Sequence, residues 1–159
     1  MIGGGANRFQ LLDVDDLCAA IIRVLDSDAP GINRVFNVGA TDYGTVDSDL
    51  KALCAHAGSG ATTLSIPEGP AHAVLSVLHK TGLSPIYPWV FRTAAMDSEV
   101  SVARMLSTGW APVFSNRAAL IRGYDWYRKN GARAQGFGPD TGHRSAWSPG
   151  ALGLLKYLF

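Results

Sequence analysis

Three short runs suited to strands alternate with helical patterns of apolar residues over the first half of the chain. The runs span residues 9–13, 33–40 and 62–67 and are rich in apolar, aromatic or β-branched side chains. After each run, apolar residues recur at spacings of three and four, which predicts amphipathic helices. Alternation of strands with helices is typical of α/β proteins, in which helices cover a sheet. We therefore expect an α/β fold.

The ends of these helices are marked by residues that favour capping. Thr45 can cap the second helix, and Gly58 can end it. The third helix has Pro70 in its first turn and is expected to end at Gly82. The residues predicted to face inward are Val14, Leu17, Cys18, Ile21 and Leu25 in the first helix, Val46, Leu50, Leu53 and Cys54 in the second, and Val74, Leu75 and Leu78 in the third.

The second half of the chain has a less regular pattern. Two prolines and several aromatic residues within 83–97 discourage regular structure, apart from a short extended piece at 89–92. Two helices are expected to follow, one closed by Gly109 and one by Gly131. Residues 132–159 form a tail rich in glycine and polar residues that ends in an apolar segment. The expected order is therefore an α/β layer, a smaller helical portion and a tail.

The composition is that of an ordinary globular protein, with 47% apolar and 17% charged residues. The formal net charge is +1 and the basic residues are scattered, which argues against nucleic acid or an anionic membrane as a partner. No uncharged apolar run reaches the ~20 residues that span a bilayer, and the N-terminus does not have the pattern of a signal peptide. Cys18 and Cys54 are predicted to be buried, reduced thiols, as expected of a cytoplasmic protein.

An aspartate cluster, Asp13, Asp15 and Asp16, lies where the first predicted strand meets the first helix. Haloacid dehalogenase-type phosphatases have a similar pair, a nucleophilic aspartate and an acid/base aspartate two residues later, with a bridging Mg²⁺. Asp13 and Asp15 resemble that pair, but Leu17 stands where those enzymes carry a hydroxyl residue. A helix start needs less, because Asp13 can accept hydrogen bonds from first-turn amides and the other carboxylates suit the helix dipole. We favour the helix start and keep the phosphatase as an alternative.

Four stretches of the chain follow one another in a meaningful order: GANRFQLLDVDDLCAAIIRVL, GINRVFNVGATDYGTVDSDL, STGWAPVFS and ALIRGYDWYRKNG. They resemble segments of extended short-chain dehydrogenase/reductases, the NAD-dependent epimerase/dehydratase family. The resemblance covers residues 3–131 and implies the C-terminal, substrate-binding half of a Rossmann-type fold. That half would contain a few strands with flanking helices and a small helical portion. Residues 132–159 would be a tail with an apolar docking segment.

The family's cofactor and catalytic motifs are missing from the sequence. Its members hold the dinucleotide pyrophosphate on a glycine-rich turn after the first strand, whereas Gly3–Gly5 here follow no strand. A Tyr-x-x-x-Lys pair transfers the proton in the family, and the nearest match, Tyr124 with Arg128, carries an arginine that stays protonated. NAD or NADP therefore belongs to full-length members. We expect this chain alone to bind no cofactor and to contain no catalytic residue.

Two arginines are the candidate substrate-binding residues. The resemblance implies that arginines in this half contact the diphosphate of a sugar nucleotide, and Arg8 and Arg92 lie in the relevant regions. The alternative for Arg92 is a surface ion pair with Asp97. The histidines and cysteines have no spacing typical of a zinc site. Four aromatic residues are expected in the core: Trp110, Tyr124, Trp126 and Tyr127.

Two further functions of different classes remain open beside the phosphatase. One is the substrate-binding half of an NAD(P)-dependent epimerase/dehydratase-like oxidoreductase, acting on a sugar nucleotide or a similar hydroxyl substrate. That half would be catalytically incomplete and would need a missing N-terminal half or self-association. The other is a stand-alone, non-catalytic binding or interaction module derived from the same family.

Overall fold

The computed structural model describes residues 1–84 and 86–135. In this part of the chain a short 3-10 turn, Gly3–Gly5, is followed by six α-helices. The helices are α1 (Val14–Leu25), α2 (Val46–Ala57), α3 (Glu68–Lys80), α4 (Pro88–Thr93), α5 (Ala103–Leu106) and α6 (Asn116–Gln135).

The described residues form no β-sheet. Two isolated parallel bridges are present, one between Ile2 and Ile66 and one between Phe9 and Ser98. The predicted α/β class with a Rossmann-type sheet is therefore wrong, and the described part of the chain is helical. The segments wrongly predicted to be strands are 9–13, 33–40 and 62–67.

Separate hydrogen bonds take the place of a strand ladder near the start of the chain. The side-chain amide of Asn116 donates to Phe9 O (2.7 Å), and its Oδ1 accepts from Leu11 N–H (2.9 Å). Between them, Gln10 N–H donates to Ser98 O (2.9 Å). These bonds satisfy the backbone polar groups without a neighbouring strand. An apolar run can suit a strand, but a sheet also requires an adjacent strand, which the local pattern does not encode.

Capping contacts confirm several predicted helix ends. Asp13 precedes α1, and its side chain accepts from Asp15 N–H (2.9 Å). Thr45 precedes α2, and its hydroxyl accepts from Ser48 N–H (3.2 Å). α2 ends at Gly58, whose left-handed φ of 64° favours glycine. Local side-chain chemistry therefore determines where these two helices start and where α2 stops.

The second half contains more helix than its sequence predicted. Residues 89–92, predicted to be extended, lie in α4, which starts with Pro88. α5 is a single turn that leads to Gly109, where φ is 85°. α6 continues through Gly131, its predicted end, to Gln135. The apolar segment predicted to end the tail lies outside the described residues.

The main core cluster is small and lies between α1, α5 and the turn that follows α5. Ala20, Met105 and Trp110 are its buried members. Trp110 is therefore buried as predicted, whereas Trp126 and Tyr127 are exposed, contrary to prediction. Partly buried side chains complete the cluster: Leu12, Val24, Phe36 and Val38.

Two further helix pairs build the rest of the described structure. α2 packs against α6, and α3 packs against α4. At the second contact, the ring nitrogen Nε2 of His72 lies 2.9 Å from the carbonyl oxygen of the buried Phe91. Val74 of α3, predicted to face inward, is exposed. None of the helices in the described residues is both long enough and apolar enough to cross a bilayer.

Candidate functional site

The aspartate cluster is the start of α1, as the favoured interpretation predicted. Asp13 Oδ1 caps the helix, and Asp13 Oδ2 lies 3.5 Å from Nε of Arg122. Asp15 forms a hydrogen-bonded ion pair with the same guanidinium, and this bond is the main reason that the pKa of Arg122 is raised. The guanidinium also lies over the ring of Phe114, 3.9 Å from its centroid. Asp13 and Asp15 thus hold α1 against α6.

Asp16 has a different role, which the sequence did not reveal. The residue is 3% exposed, and its two carboxylate oxygens accept from Val113 N–H (2.9 Å) and Phe114 N–H (3.0 Å). Its backbone oxygen accepts from the indole N–H of Trp110 (3.2 Å). Asp16 therefore fastens the segment before α6 to the first turn of α1. No spacing in the sequence marks this role, because the partners lie far away along the chain.

The two predicted substrate-binding arginines lie on different elements. Arg8 stands just before the bridge residue Phe9, and its backbone N–H donates to Asp97 Oδ1 (2.7 Å). Arg92 is an exposed residue in the last turn of α4. The ion pairs within the described residues do not include one between Arg92 and Asp97. Phosphate binding by Arg8 or Arg92 stays a prediction.

Arg8 contributes to the electrostatics of a patch around Tyr43. The phenol of Tyr43 lies 3.0 Å from Glu99 Oε2 and donates a hydrogen bond to it. This bond is the main reason that the pKa of Tyr43 is raised, while the positive charge of Arg8 acts in the opposite direction. The patch therefore combines a cation, an anion and a phenol whose proton is held more tightly than usual.

A cavity of about 410 Å³ opens between α2, α4 and the start of α6. Its volume falls within the range of about 300–1,000 Å³ that small-molecule sites occupy. Phe9 and Trp89 supply aromatic wall, and the polar lining residues are Asp49, Thr93 and Asn116. Neither predicted arginine lines it. The other lining residues are apolar: Leu11, Val46, Leu50, Val90, Ala94 and Leu120.

Asp49 and Asn116 form the buried polar wall of this cavity. Asp49 is 5% exposed and Asn116 is 2% exposed, and Asn116 Nδ2 donates to Asp49 Oδ2 (3.2 Å). Asp49 also borders a smaller cavity of about 200 Å³, which Tyr43 and Arg117 help to line. Within the described residues, no basic side chain forms an ion pair with Asp49. A buried carboxylate without a cationic partner therefore lies between two cavities.

The apolar residues of α1 form an exposed face rather than the inward face that was predicted. Asp16 and Ala20 are buried and turn the opposite part of the helix toward the core. Both free cysteines lie in helices, and Cys18 is exposed while Cys54 is partly buried, so the prediction of two buried thiols is wrong for Cys18. We define the α1 apolar face as Val14, Leu17, Cys18, Ile21, Ile22 and Leu25, all of which are exposed.

Comparison with known proteins gives one relative and no family. No protein-family model matches the chain. The chain is similar to the "Uncharacterized protein y4nG" of Sinorhizobium fredii, with 33% identity over 159 residues that cover 99% of this chain. The chain spans 39% of the length of that relative. Neither result supports the epimerase/dehydratase resemblance. Because the described residues also lack a sheet, the predicted family membership, Rossmann class and oxidoreductase class are wrong.

Proposed function

We propose that the chain is a non-catalytic binding module that docks through the α1 apolar face onto further polypeptide of a longer protein. The observation that carries the proposal is the exposure of this face, where Ile21 is 51% and Leu25 is 77% exposed. Six neighbouring apolar side chains on one helix are an unusual solvent-facing surface. Full burial of one such aliphatic side chain contributes about 1.5–3 kcal/mol. Covering the face would therefore offset a large part of the cost of association.

The relative supports a polypeptide as the occupant of this face. Most of y4nG lies outside the region that matches this chain, so the relative contains additional polypeptide that this sequence does not align with. The isolated bridges at Phe9 and Ile66 point the same way, because a strand paired at a single position keeps backbone groups available to another strand. An apolar helix face and incompletely paired segments together favour docking onto a folded apolar surface.

The proposal leaves catalysis and cofactors to other parts of such a protein. It assigns no NAD or NADP to the described residues. The free thiols of Cys18 and Cys54 fit a reducing compartment, and we place the protein in the cytoplasm on that ground. The partner is the rest of the same protein, rather than a nucleic acid or a membrane.

The test measures binding between this chain and the part of y4nG that lies outside the aligned region, made as a separate polypeptide. Calorimetry and light scattering on a sizing column are expected to show a one-to-one complex. Ile21→Glu places a charge in the centre of the α1 apolar face and is expected to weaken binding at least about tenfold. The matched control is Ala19→Glu, which adds the same charge to an exposed position outside the face.

Three outcomes would contradict this proposal. The first is the absence of a complex. The second is equal weakening by Ile21→Glu and Ala19→Glu, which would show that the face is not the contact. The third is a dimer of the chain alone that Ile21→Glu disrupts, which would make a second copy the occupant.

A further inference from the structure

We propose that the cavity between α2, α4 and α6 binds a small organic cation, an amine with an aromatic or alkyl body. In this proposal the ammonium group pairs with Asp49, and the body of the ligand lies against the apolar lining. The inference concerns a different surface from the α1 apolar face and does not depend on the docking proposed for it.

The state of the Asp49 carboxylate is the first reason. A carboxylate that is nineteen-twentieths buried loses hydration, and such charges are usually paired or fully hydrogen-bonded in proteins. Asp49 Oδ2 accepts one hydrogen bond from Asn116 at 3.2 Å. In the described residues it has no ion pair with lysine, arginine or histidine. An ammonium group would supply the missing positive charge and three donors.

The position of Asn116 indicates which ligand charge fits. Its side chain is fully engaged, because it donates to Phe9 O and Asp49 Oδ2 and accepts from Leu11 N–H. These bonds hold the carboxylate of Asp49 at the cavity wall. An anionic ligand would be repelled by this carboxylate, and an alcohol could donate only one hydrogen bond to it. A cation is the complement of the site.

The lining explains why the cation should be organic. Asp49 is the one charged residue that lines the cavity in the described part of the chain. A hard metal ion takes six or more oxygen ligands, which an apolar lining does not supply. The aromatic rings of Phe9 and Trp89 and the aliphatic residues suit a ring or alkyl chain, and aromatic faces also attract ammonium groups. An amine of one or two rings matches both the charge and the lining.

Gly44 keeps space open on the other side of the carboxylate. A Cβ built on Gly44 would lie 2.3 Å from Ser48 Oγ and 3.3 Å from Asp49 Oδ1. Asp49 Oδ1 therefore faces the smaller cavity, where Arg117 also lies, while Oδ2 is held by Asn116. The carboxylate can be approached from the apolar cavity without displacing any ion pair.

The experiment uses three probes that share one apolar body and differ in charge: 2-phenylethylamine, 2-phenylethanol and 3-phenylpropanoate. Calorimetry with the full chain at neutral pH is expected to give the tightest binding for the amine, at least about tenfold tighter than for the alcohol. 3-Phenylpropanoate should bind most weakly. Asp49→Asn removes the charge while keeping the shape, and it is expected to make the amine and the alcohol bind equally.

A second variant keeps the test decisive if Asp49→Asn does not fold. Trp89 is 69% exposed, so Trp89→Ala removes part of the cavity wall with little cost to the fold, and it should weaken binding of both the amine and the alcohol. The matched control is Trp126→Ala, which removes an exposed tryptophan that does not line this cavity and should leave binding unchanged. The proposal is overturned by an amine Kd above about 1 mM. Equal binding of the three probes, or a preference for the amine that survives in Asp49→Asn, would also overturn it.

Discussion

Alanine in place of Asp16 is expected to lower the free energy of unfolding by about 2–4 kcal/mol. The carboxylate of Asp16 accepts from Val113 N–H and Phe114 N–H at 2.9 and 3.0 Å in a site that excludes water. Removing it leaves two backbone donors without their partner and loosens the segment that leads into α6. Urea unfolding followed by circular dichroism measures the change.

The control for this substitution is Asp15→Ala in the same helical turn. Asp15 is exposed and forms a surface ion pair with Arg122, so its loss should cost no more than about 1 kcal/mol. Equal effects of Asp15→Ala and Asp16→Ala would show that Asp16 acts as another first-turn charge on α1. The role of Asp16 as the connection to residues 113–114 would then be wrong.

The second large effect is expected from Asn116→Ala, which should cost about 3 kcal/mol or more, because several buried groups lose their partner at once. The side chain of Asn116 joins Phe9 O, Leu11 N–H and the carboxylate of Asp49. After the substitution, Asp49 would be a buried charge without that donor. Thermal unfolding and urea unfolding should both report the loss.

Arg117→Ala is the matched control, because Arg117 is the next residue of α6 and is exposed. It is expected to change the free energy of unfolding by no more than about 0.5 kcal/mol. If Asn116→Ala proved as mild as Arg117→Ala, the start of the chain would be held by something other than this amide. The explanation given above for the absence of a strand at residues 9–13 would fail with it.

Helix ends were predictable because their causes are local. The caps Asp13 and Thr45 act on amides two or three residues away, and Gly58 adopts its left-handed φ within its own turn. Strands could not be inferred in the same way, since pairing depends on residues far along the chain. The spacing of apolar residues correctly predicted one face of α1. It did not indicate whether these residues would cover that face.

The candidate site depended on contacts that the sequence does not display. Asp49 meets Asn116 across 67 residues, and Asp16 meets Phe114 across 98 residues. One signal was available for the cavity, because Asp49 stands directly before the apolar Leu50 on the predicted inward side of α2. A carboxylate at the edge of a buried helix face marks a position that needs a partner. That partner could be found only from the fold.

The most direct test of the docking claim is the rate at which Cys18 reacts with a maleimide. Cys18 lies in the α1 apolar face and is exposed, and the partly buried Cys54 on α2 is an internal control. Site-resolved mass spectrometry would compare the isolated chain with the native protein taken from its source cells. Docking predicts that Cys18 reacts at least about tenfold more slowly in the native protein, since labelling then requires local opening, while the rate for Cys54 is unchanged. Equal rates for Cys18 in both samples would show that the face is not covered and would contradict the proposed function.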